Sequence, residues 1–546
     1  MGAPPGARRG SASRDRPGDL AVDQRVDLVE HLERQRAPLR RVLLGCQLVG
    51  NTLLLPAHTS PRSRAFRTGG PSLTLVKVVS GSMKVTLLGH ASVLVEMKAA
   101  TCLMDPVFHD PFEDTAVVSC PRRTIKLDAL PAIDLLVISH VHLDHFDIPS
   151  LAFIARKSRS CDVVCPKDHT MVYVLEQLGF TKIHPEAPHK HFKLRGYELL
   201  TTHSNVTNVT EIGMVFKDAS GTFWNQVDTV ISADTAAGTL KQAGPIDLLF
   251  AMYASQNFDF FASRGTSFPH QMHAMNLNNV MAIRPRLTVP GSAGFRFAGT
   301  GMEWCNAFLF PMSRERFVAD LARVAPDLET RIANPGDVFE IKSGEVRHHV
   351  AASPIARTLE DDTRLLRFDP TAPIPPLQDP NPGKLSMQEL RASVEDCLTG
   401  FIRFARTAYT AADPVCDEYR RLRATYAVGV VFDGSPERWV HLTFGPGAVE
   451  VTETEGDCAP ADAGHRIVAS ALTAWAARKK SYFYLRAFSR QWNLLHAISV
   501  EAGRAAVEPK QPQDLLAYYL LRKAPGAELA FKLWLDHQLA PYAGQA

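Results

Sequence analysis

His140, His142, Asp144 and His145 fall within six residues, in the run Ser139-His140-Val141-His142-Leu143-Asp144-His145-Phe146-Asp147. Imidazole nitrogens and carboxylate oxygens are the ligands that borderline metals such as zinc and iron take. The spacing therefore predicts a metal centre. A bound metal draws the pKa of its water toward neutrality and so makes a nucleophile at physiological pH. A His/carboxylate set with open positions also suits iron and dioxygen. The run at 133–138 reads as a buried strand, which puts the four residues on a loop at a strand's carboxyl end, where α/β folds place their chemistry.

The elements that must position this loop are bounded by composition. A chain of 546 residues has room for two to four domains. Its 45% hydrophobic and 21% charged residues are those of a soluble globular protein. A net charge of +3, without a long basic run or a stacked-aromatic motif, argues against nucleic acid as a partner. The nine cysteines are scattered and odd in number, which fits a reducing, cytoplasmic setting rather than a disulfide framework. Cys161 and Cys165 form a close pair too isolated to suggest a second metal or redox site. The apolar stretch 42–57 holds Gln47, Asn51 and Pro56 and is too short to span a bilayer. It lies too far from the start for a standard signal peptide and reads as a docking helix, so stable membrane insertion is not expected.

Residues 1–24, rich in Gly, Pro, Arg and Ser, read as a disordered tail, and 25–72 as a helical segment. From 73 the pattern turns to strands, at 73–79, 84–88, 92–96 and 101–105. Helices expected at 151–157 and 171–178 then alternate with strands at 163–165, 197–202 and 227–232. Hairpins followed by alternation predict an α/β domain over 73–345, a mixed sheet covered by helices. Six prolines between 370 and 382 mark 346–385 as a stiff linker. Beyond it, 386–546 reads as an α+β domain, with a helix at 387–407, strands at 427–432 and 439–444, and helices at 467–477 and 515–521.

The series Gly89-His90-Ala91-Ser92, then Met104-Asp105-Pro106-Val107-Phe108, then His140-x-His142-x-Asp144-His145 resembles the metallo-β-lactamase superfamily. Thr201-Thr202-His203-Ser204 and Ser232-Ala233-Asp234-Thr235 follow in the family's order. The resemblance covers roughly half the chain and implies an αββα sandwich. It also implies that His203 completes a first metal position with His140 and His142, leaving one place open. Asp144 and His145 would hold a second metal, with Asp234 bridging the two. One or two transition-metal ions are expected, with Asp144 as the candidate catalytic carboxylate and His90 and Asp105 orienting the ligands.

Hydrolases of the superfamily usually supply a last histidine from a late strand end. The matching stretch here is Leu287-Thr288-Val289-Pro290-Gly291-Ser292-Ala293-Gly294-Phe295, with Pro290 at the histidine's place. His270 and His273 lie upstream. Either can reach the site from a loop, and His273 is the candidate second catalytic residue. The segments 284–295 and 334–339 resemble the CMP-N-acetylneuraminate hydroxylase-like branch, which implies an oxygenase. No Cys-x-His … Cys-x-x-His pattern of a Rieske centre is present in the sequence. Electrons would then come from a separate reductase or from the substrate.

The favoured expectation is an iron oxygenase acting on a small molecule. The alternative is a zinc hydrolase of a phosphodiester, lactone, amide or thioester, and a non-catalytic metal-bearing scaffold stands third. The C-terminal region resembles the sterol-carrier-like fold some members append. Its aromatic residues, among them Phe401, Trp439, Trp475 and Trp492, read as an ordinary core ahead of a substrate pocket or a homodimer contact.

Overall fold

Short apolar runs broken by turns give three antiparallel strands at the start, β1 (Met83–Gly89), β2 (Ser92–Glu96) and β3 (Thr101–Met104). The structure, a computed structural model, describes residues 81–98, 100–206, 209–257, 268–480, 482–495, 514–524 and 530–542. The expected tail, the N-terminal helical segment and the strand at 73–79 lie outside them. Beside β3 run β4 (Leu135–Val137), β5 (Asp162–Pro166) and β6 (Ile183–Glu186), each parallel to its neighbour. The crossovers are α1 (Ile148–Ser158) and α2 (His169–Gln177).

A second sheet begins as an antiparallel meander: β7 (His191–Leu194), β8 (Tyr197–His203), β9 (Ile212–Asp218) and β10 (Gly221–Asn225). It continues in parallel through β11 (Leu248–Met252), β12 (Leu287–Gly291) and β13 (Glu329–Thr330). Helices α3 (Ala233–Ala243), α4 (His270–Ile283) and α5 (Arg314–Val324) lie between these strands in sequence. The strands β14 (Val338–Lys342) and β15 (Glu345–His349) return to the first sheet and pair beside β1.

The alternation of the strands builds the layers. Val93, Val95, Cys102 and Met104 of the first sheet meet Phe216, Phe223, Phe250 and Val289 of the second in one buried core. The intervening Leu94, Leu103 and Leu136 pack with Leu151 and Ile154 of α1 and Val174 of α2. On the far side, Trp224, Leu249 and Ala251 pack with Ala236, Val280 and Phe317 of α3, α4 and α5. This is an αββα sandwich. Burial on both faces explains why a strand such as Leu135-Leu136-Val137 is continuously apolar instead of alternating.

The strand expected at 227–232 is absent. Pairing stops at Asn225, and Val227 adopts a left-handed φ of 55°. Thr229 N–H then closes a turn onto the Gln226 carbonyl at 3.1 Å. Ser232 caps α3 by accepting from Thr235 N–H.

The stretch 346–385 is shared between domains. Ala356–Glu360 pairs with Arg122–Ile125 in the first domain. The proline-rich part is tied down at several points. Asp369 N–H donates to the Ala307 carbonyl, Arg490 donates to the Pro375 carbonyl, and the Asp379 carboxylate accepts Ser470 N–H at 2.9 Å. These outside partners hold the stretch together with local turns at Asp369–Ala372 and Asn381–Leu385.

After it come α6 (Met387–Thr410), with a capping box between Ser386 and Glu389, and α7 (Pro414–Leu422). A five-stranded sheet follows: β16 (Thr425–Val431), β17 (Arg438–Phe444), β18 (Val449–Glu455), β19 (Ala463–Val468) and β20 (Ser489–Asn493), in the order β18-β17-β16-β19-β20. The helices α6 and α8 (Ala469–Ala476) cover one face, where Phe401 and Trp475 join Tyr426, Val428 and Leu442 in the core. Phe295, Phe297, Phe308 and Leu309 of the first domain enter the same core. The helix Ala530–Leu539 ends against the first domain instead. Its Leu535 is buried with α1 and α2, and Tyr173 of α2 donates to Asp536 at 2.7 Å. Among the described residues no helix is long and apolar enough to cross a membrane.

Candidate metal centre

The His-x-His-x-Asp-His loop lies between β4 and α1. Asp147, the last residue of the run, caps α1 by accepting Ser150 N–H at 3.1 Å, with Pro149 in the first turn. Within the loop, His145 and Phe146 N–H both donate to the His142 carbonyl at 3.0 and 2.7 Å. Ile212 N–H of β9 donates to the Ser139 carbonyl, which draws the ends of β8 and β9 to the loop.

One buried carboxylate sets the tautomers of two histidines. Asp105, with a left-handed φ of 46°, accepts Ser139 N–H at 2.7 Å, Ser139 Oγ–H at 2.6 Å and His145 Nδ1–H at 3.0 Å. The Ser139 hydroxyl has then given its only proton to Asp105, so it accepts from His140 Nδ1–H at 2.9 Å. Both rings are left with Nε2 as the free nitrogen, the arrangement that a metal-binding histidine needs. His140 Nε2 lies 2.8 Å from His142 Nδ1, so one ion can reach both.

Asp228 stands beside them. Its Oδ2 is 3.3 Å from His145 Nε2. The ligand atoms of His140, His145 and Asp228 all lie within 4.8 Å of one another, as do those of His90, Asp144 and His145. The buried atoms that lack a hydrogen-bond partner among the described residues include two at this group, His145 Nε2 and Asp228 Oδ1. Buried polar atoms are nearly always paired, and a shared cation satisfies these lone pairs. The donor set and its orphaned atoms therefore fit a metal.

The charges agree with this. Burial opposes ionisation of Asp144 and Asp228, yet His145 beside both outweighs it and holds them well below the usual carboxylate range. Burial, reinforced by His145 and His142, holds His140 neutral. Burial also opposes charge on His145, but Asp144 and Asp228 outweigh it and raise its pKa, so a metal must displace that proton on binding.

Several residues named from the sequence stand elsewhere. Asp234 lies exposed in the first turn of α3. The carboxylate at the strand end is Asp228, six residues earlier, because β10 ends at Asn225. His203, at the end of β8 opposite Ile212, has its ring 5.7 Å from that of His189 and falls outside both close groups. His273 is on α4, not on a loop. It bonds Asp320 of α5 at 3.1 Å, in the outer helical layer with Phe317.

Pro290 pairs with Ala251 inside β12 and is buried there. The loop that follows serves His90 instead of a metal, since Gly294 N–H donates to His90 Nδ1 at 3.1 Å. A Cβ at Gly294 would stand 2.9 Å from the His90 Cα, so only glycine allows this approach. Nε2 of His90 then carries the proton, 3.2 Å from Asp144 Oδ2. Held in this tautomer, His90 orients Asp144 as a donor and has no lone pair to offer a metal.

Nothing in the sequence singles out Glu211, just before β9. It is buried and accepts the Ser204 hydroxyl. Burial, with Asp228 adding repulsion, pushes its carboxyl up to about 7. A carboxyl whose folded pKa is raised stabilises the fold fully below its unfolded value, near 4.5. That contribution is lost as pH rises through about 7, a difference of roughly 3 kcal/mol. In metal-free protein, Glu211→Gln should match the parent at pH 4.5 and exceed it by about 2–3 kcal/mol at pH 8. Denaturant midpoints at the two pH values measure this, and equal midpoints at pH 8 would refute the raised pKa.

An αββα sandwich carrying this histidine–aspartate loop at a strand end defines a metallo-β-lactamase-fold, metal-binding enzyme domain. Residues 101–286, about a third of the chain, match the family model of the β-lactamase superfamily domain. The chain is 37% identical over 82 residues to an uncharacterized protein of Mycobacterium tuberculosis, covering 14% of this chain and 22% of that one. It is 34% identical over 101 residues to a protein of Mycolicibacterium smegmatis named for a Rieske 2Fe-2S centre, covering 18% and 19%. It is 41% identical over 66 residues to the N-acyl-phosphatidylethanolamine-hydrolyzing phospholipase D 1 of Caenorhabditis elegans, covering 11% and 18%. The matches thus span about a fifth of these relatives' lengths. Among solved structures, CmlA, a diiron β-hydroxylase from Streptomyces venezuelae, is similar at 16% identity and a TM-score of 0.34, over 48% of this chain and 54% of that one.

Proposed function

We propose that the chain is a non-haem iron oxygenase acting on a small molecule, with electrons from an external reductant. The observation that carries this is the donor set. His140, His145 and Asp228 are two imidazoles and one carboxylate with their ligand atoms gathered, the pattern of non-haem iron centres with open positions. The late-strand histidine is replaced by Pro290, and the loop beyond it holds His90 as a proton donor to Asp144. Iron there would supply one-electron chemistry with dioxygen. Around it, Asp105 fixes the imidazoles, His90 steadies Asp144, and Glu211, protonated near neutral pH, can hand a proton to the substrate or take one from it. The relative named for a Rieske centre supports an iron–sulfur protein as the electron source.

The second reading is a zinc hydrolase, favoured by the phospholipase among the relatives, with Asp144 or Glu211 as the base. Elemental analysis of protein purified without added metal separates the two. Iron, with oxygen uptake once a reductant is supplied, is expected. Zinc, with hydrolysis of phosphodiester or ester probes and no oxygen uptake, reverses the order.

A further inference from the structure

The outward face of the C-terminal sheet, opposite α6 and α8, holds a cavity of about 510 Å³. Ala427 of a central strand lines it together with Trp439 and Trp492, and Gly429 and Gly464 lie beneath the two indoles. Register sets Gly429 opposite Trp439 and Gly464 opposite Trp492. A Cβ on Gly429 would lie 2.5–2.6 Å from three atoms of the Trp439 six-membered ring. One on Gly464 would come within 2.2–2.5 Å of two Trp492 ring atoms. Near-equal distances to consecutive ring atoms mean that the Trp439 indole lies flat over its glycine, and the Trp492 contacts are of the same kind. Glycine inside a strand weakens it. Here its role is to let two large rings lie down on the sheet.

The polar groups are arranged to match. Arg466 Nε donates to Glu437 Oε2 at 2.9 Å, and a second guanidinium nitrogen donates to Oε1. Trp492 Nε1–H is anchored on the Ala461 carbonyl at 2.8 Å. Trp439 Nε1–H has no partner among the described residues. The cavity therefore offers two flat apolar faces beside a charge-balanced pair that both donates and accepts.

We infer that this face binds a neutral hydroxylated ring, that is, a saccharide, with its C–H faces on the indoles of Trp439 and Trp492 and its hydroxyls on the Glu437–Arg466 pair. With Asp457 also lining the cavity beside the Glu437–Arg466 pair, there is no excess of positive charge to hold a phosphate. The open, shallow floor gives no enclosure for an acyl chain. Vicinal hydroxyls each donate and accept, which is what a carboxylate–guanidinium fork can answer.

Titrating the full chain with maltotriose, cellotriose and chitotriose, followed by tryptophan fluorescence and calorimetry, tests this. Saturable millimolar binding of at least one is expected, weakened about tenfold or more in both Trp439→Ala and Trp492→Ala. If either variant loses its thermal transition, Arg466→Gln keeps both indoles and should show the same weakening. Three results would overturn the inference: no saturable signal with any sugar, binding unchanged in the variants, or binding of adenosine in place of the sugars.

Discussion

Asp228→Ala should leave the purified protein with less than about a tenth of its bound metal, while Asp234→Ala should leave the metal content unchanged. The two carboxylates are six residues apart in sequence and wholly different in setting. Asp228 faces His145 at 3.3 Å, with its other oxygen buried and without a partner among the described residues. Asp234 is exposed at the start of α3, where a carboxylate gains about 0.3–1 kcal/mol from the helix dipole and no more. Asp228→Asn keeps the volume and removes the charge, and it should lose metal as the alanine variant does. Metal is counted per protein after gel filtration, with thermal unfolding as the check on folding. Retention by Asp228→Ala together with loss by Asp234→Ala would restore the assignment made from the sequence.

The second large effect is expected at Asp105, which need touch no metal. It ties Ser139, His145 and, through the Ser139 hydroxyl, His140 into one network. Asparagine is the informative substitution, because it tolerates the left-handed backbone found there and changes only the charge and one acceptor. Asp105→Asn should weaken metal binding by about 10–100-fold, the usual effect of removing an orienting partner. It should also destabilise metal-free protein by about 3 kcal/mol, since His145 is left buried with a weaker acceptor. Chelator competition measures the first and urea denaturation the second. Ser139→Ala, which cuts the relay to His140 only, should fall between parent and Asp105→Asn. Chelator resistance equal to the parent's in Asp105→Asn would show that the tautomers are set in some other way.

The loop of histidines is legible in the sequence because its positioning is local. A buried strand precedes it, Asp147 caps the helix that follows, and both signals lie within a dozen residues. The sandwich is legible for a related reason, since the alternation of strands and helices is written along the chain. Asp228 is hidden by local preference. Residues 227–232 are rich in Val, Ile and Thr and read as a strand, yet the ladder ends at Asn225 and Val227 turns left-handed, a conformation that a β-branched residue rarely adopts. Glu211 is hidden because its burial depends on how the ends of β8 and β9 meet the loop, a contact between segments some seventy residues apart. His273 reads as a loop residue because Asn276, Asn278 and Asn279 mask the helix that carries it, 270–283, and its partner Asp320 is on another helix.

The helix Ala530–Leu539 packs on the first domain although the intervening chain builds the second. The C-terminal domain is thus spliced into its host instead of being hung from one end. Its entry and exit points are both pinned to the same body, one through the tethered prolines and one through this helix. Removing the C-terminal half at the proline stretch would therefore take away Leu535 and the Tyr173–Asp536 bond, which hold that helix against α2. The two halves share buried side chains at both junctions, so they are expected to unfold together, and whatever binds on the outer sheet face does so on a body continuous with the metal centre.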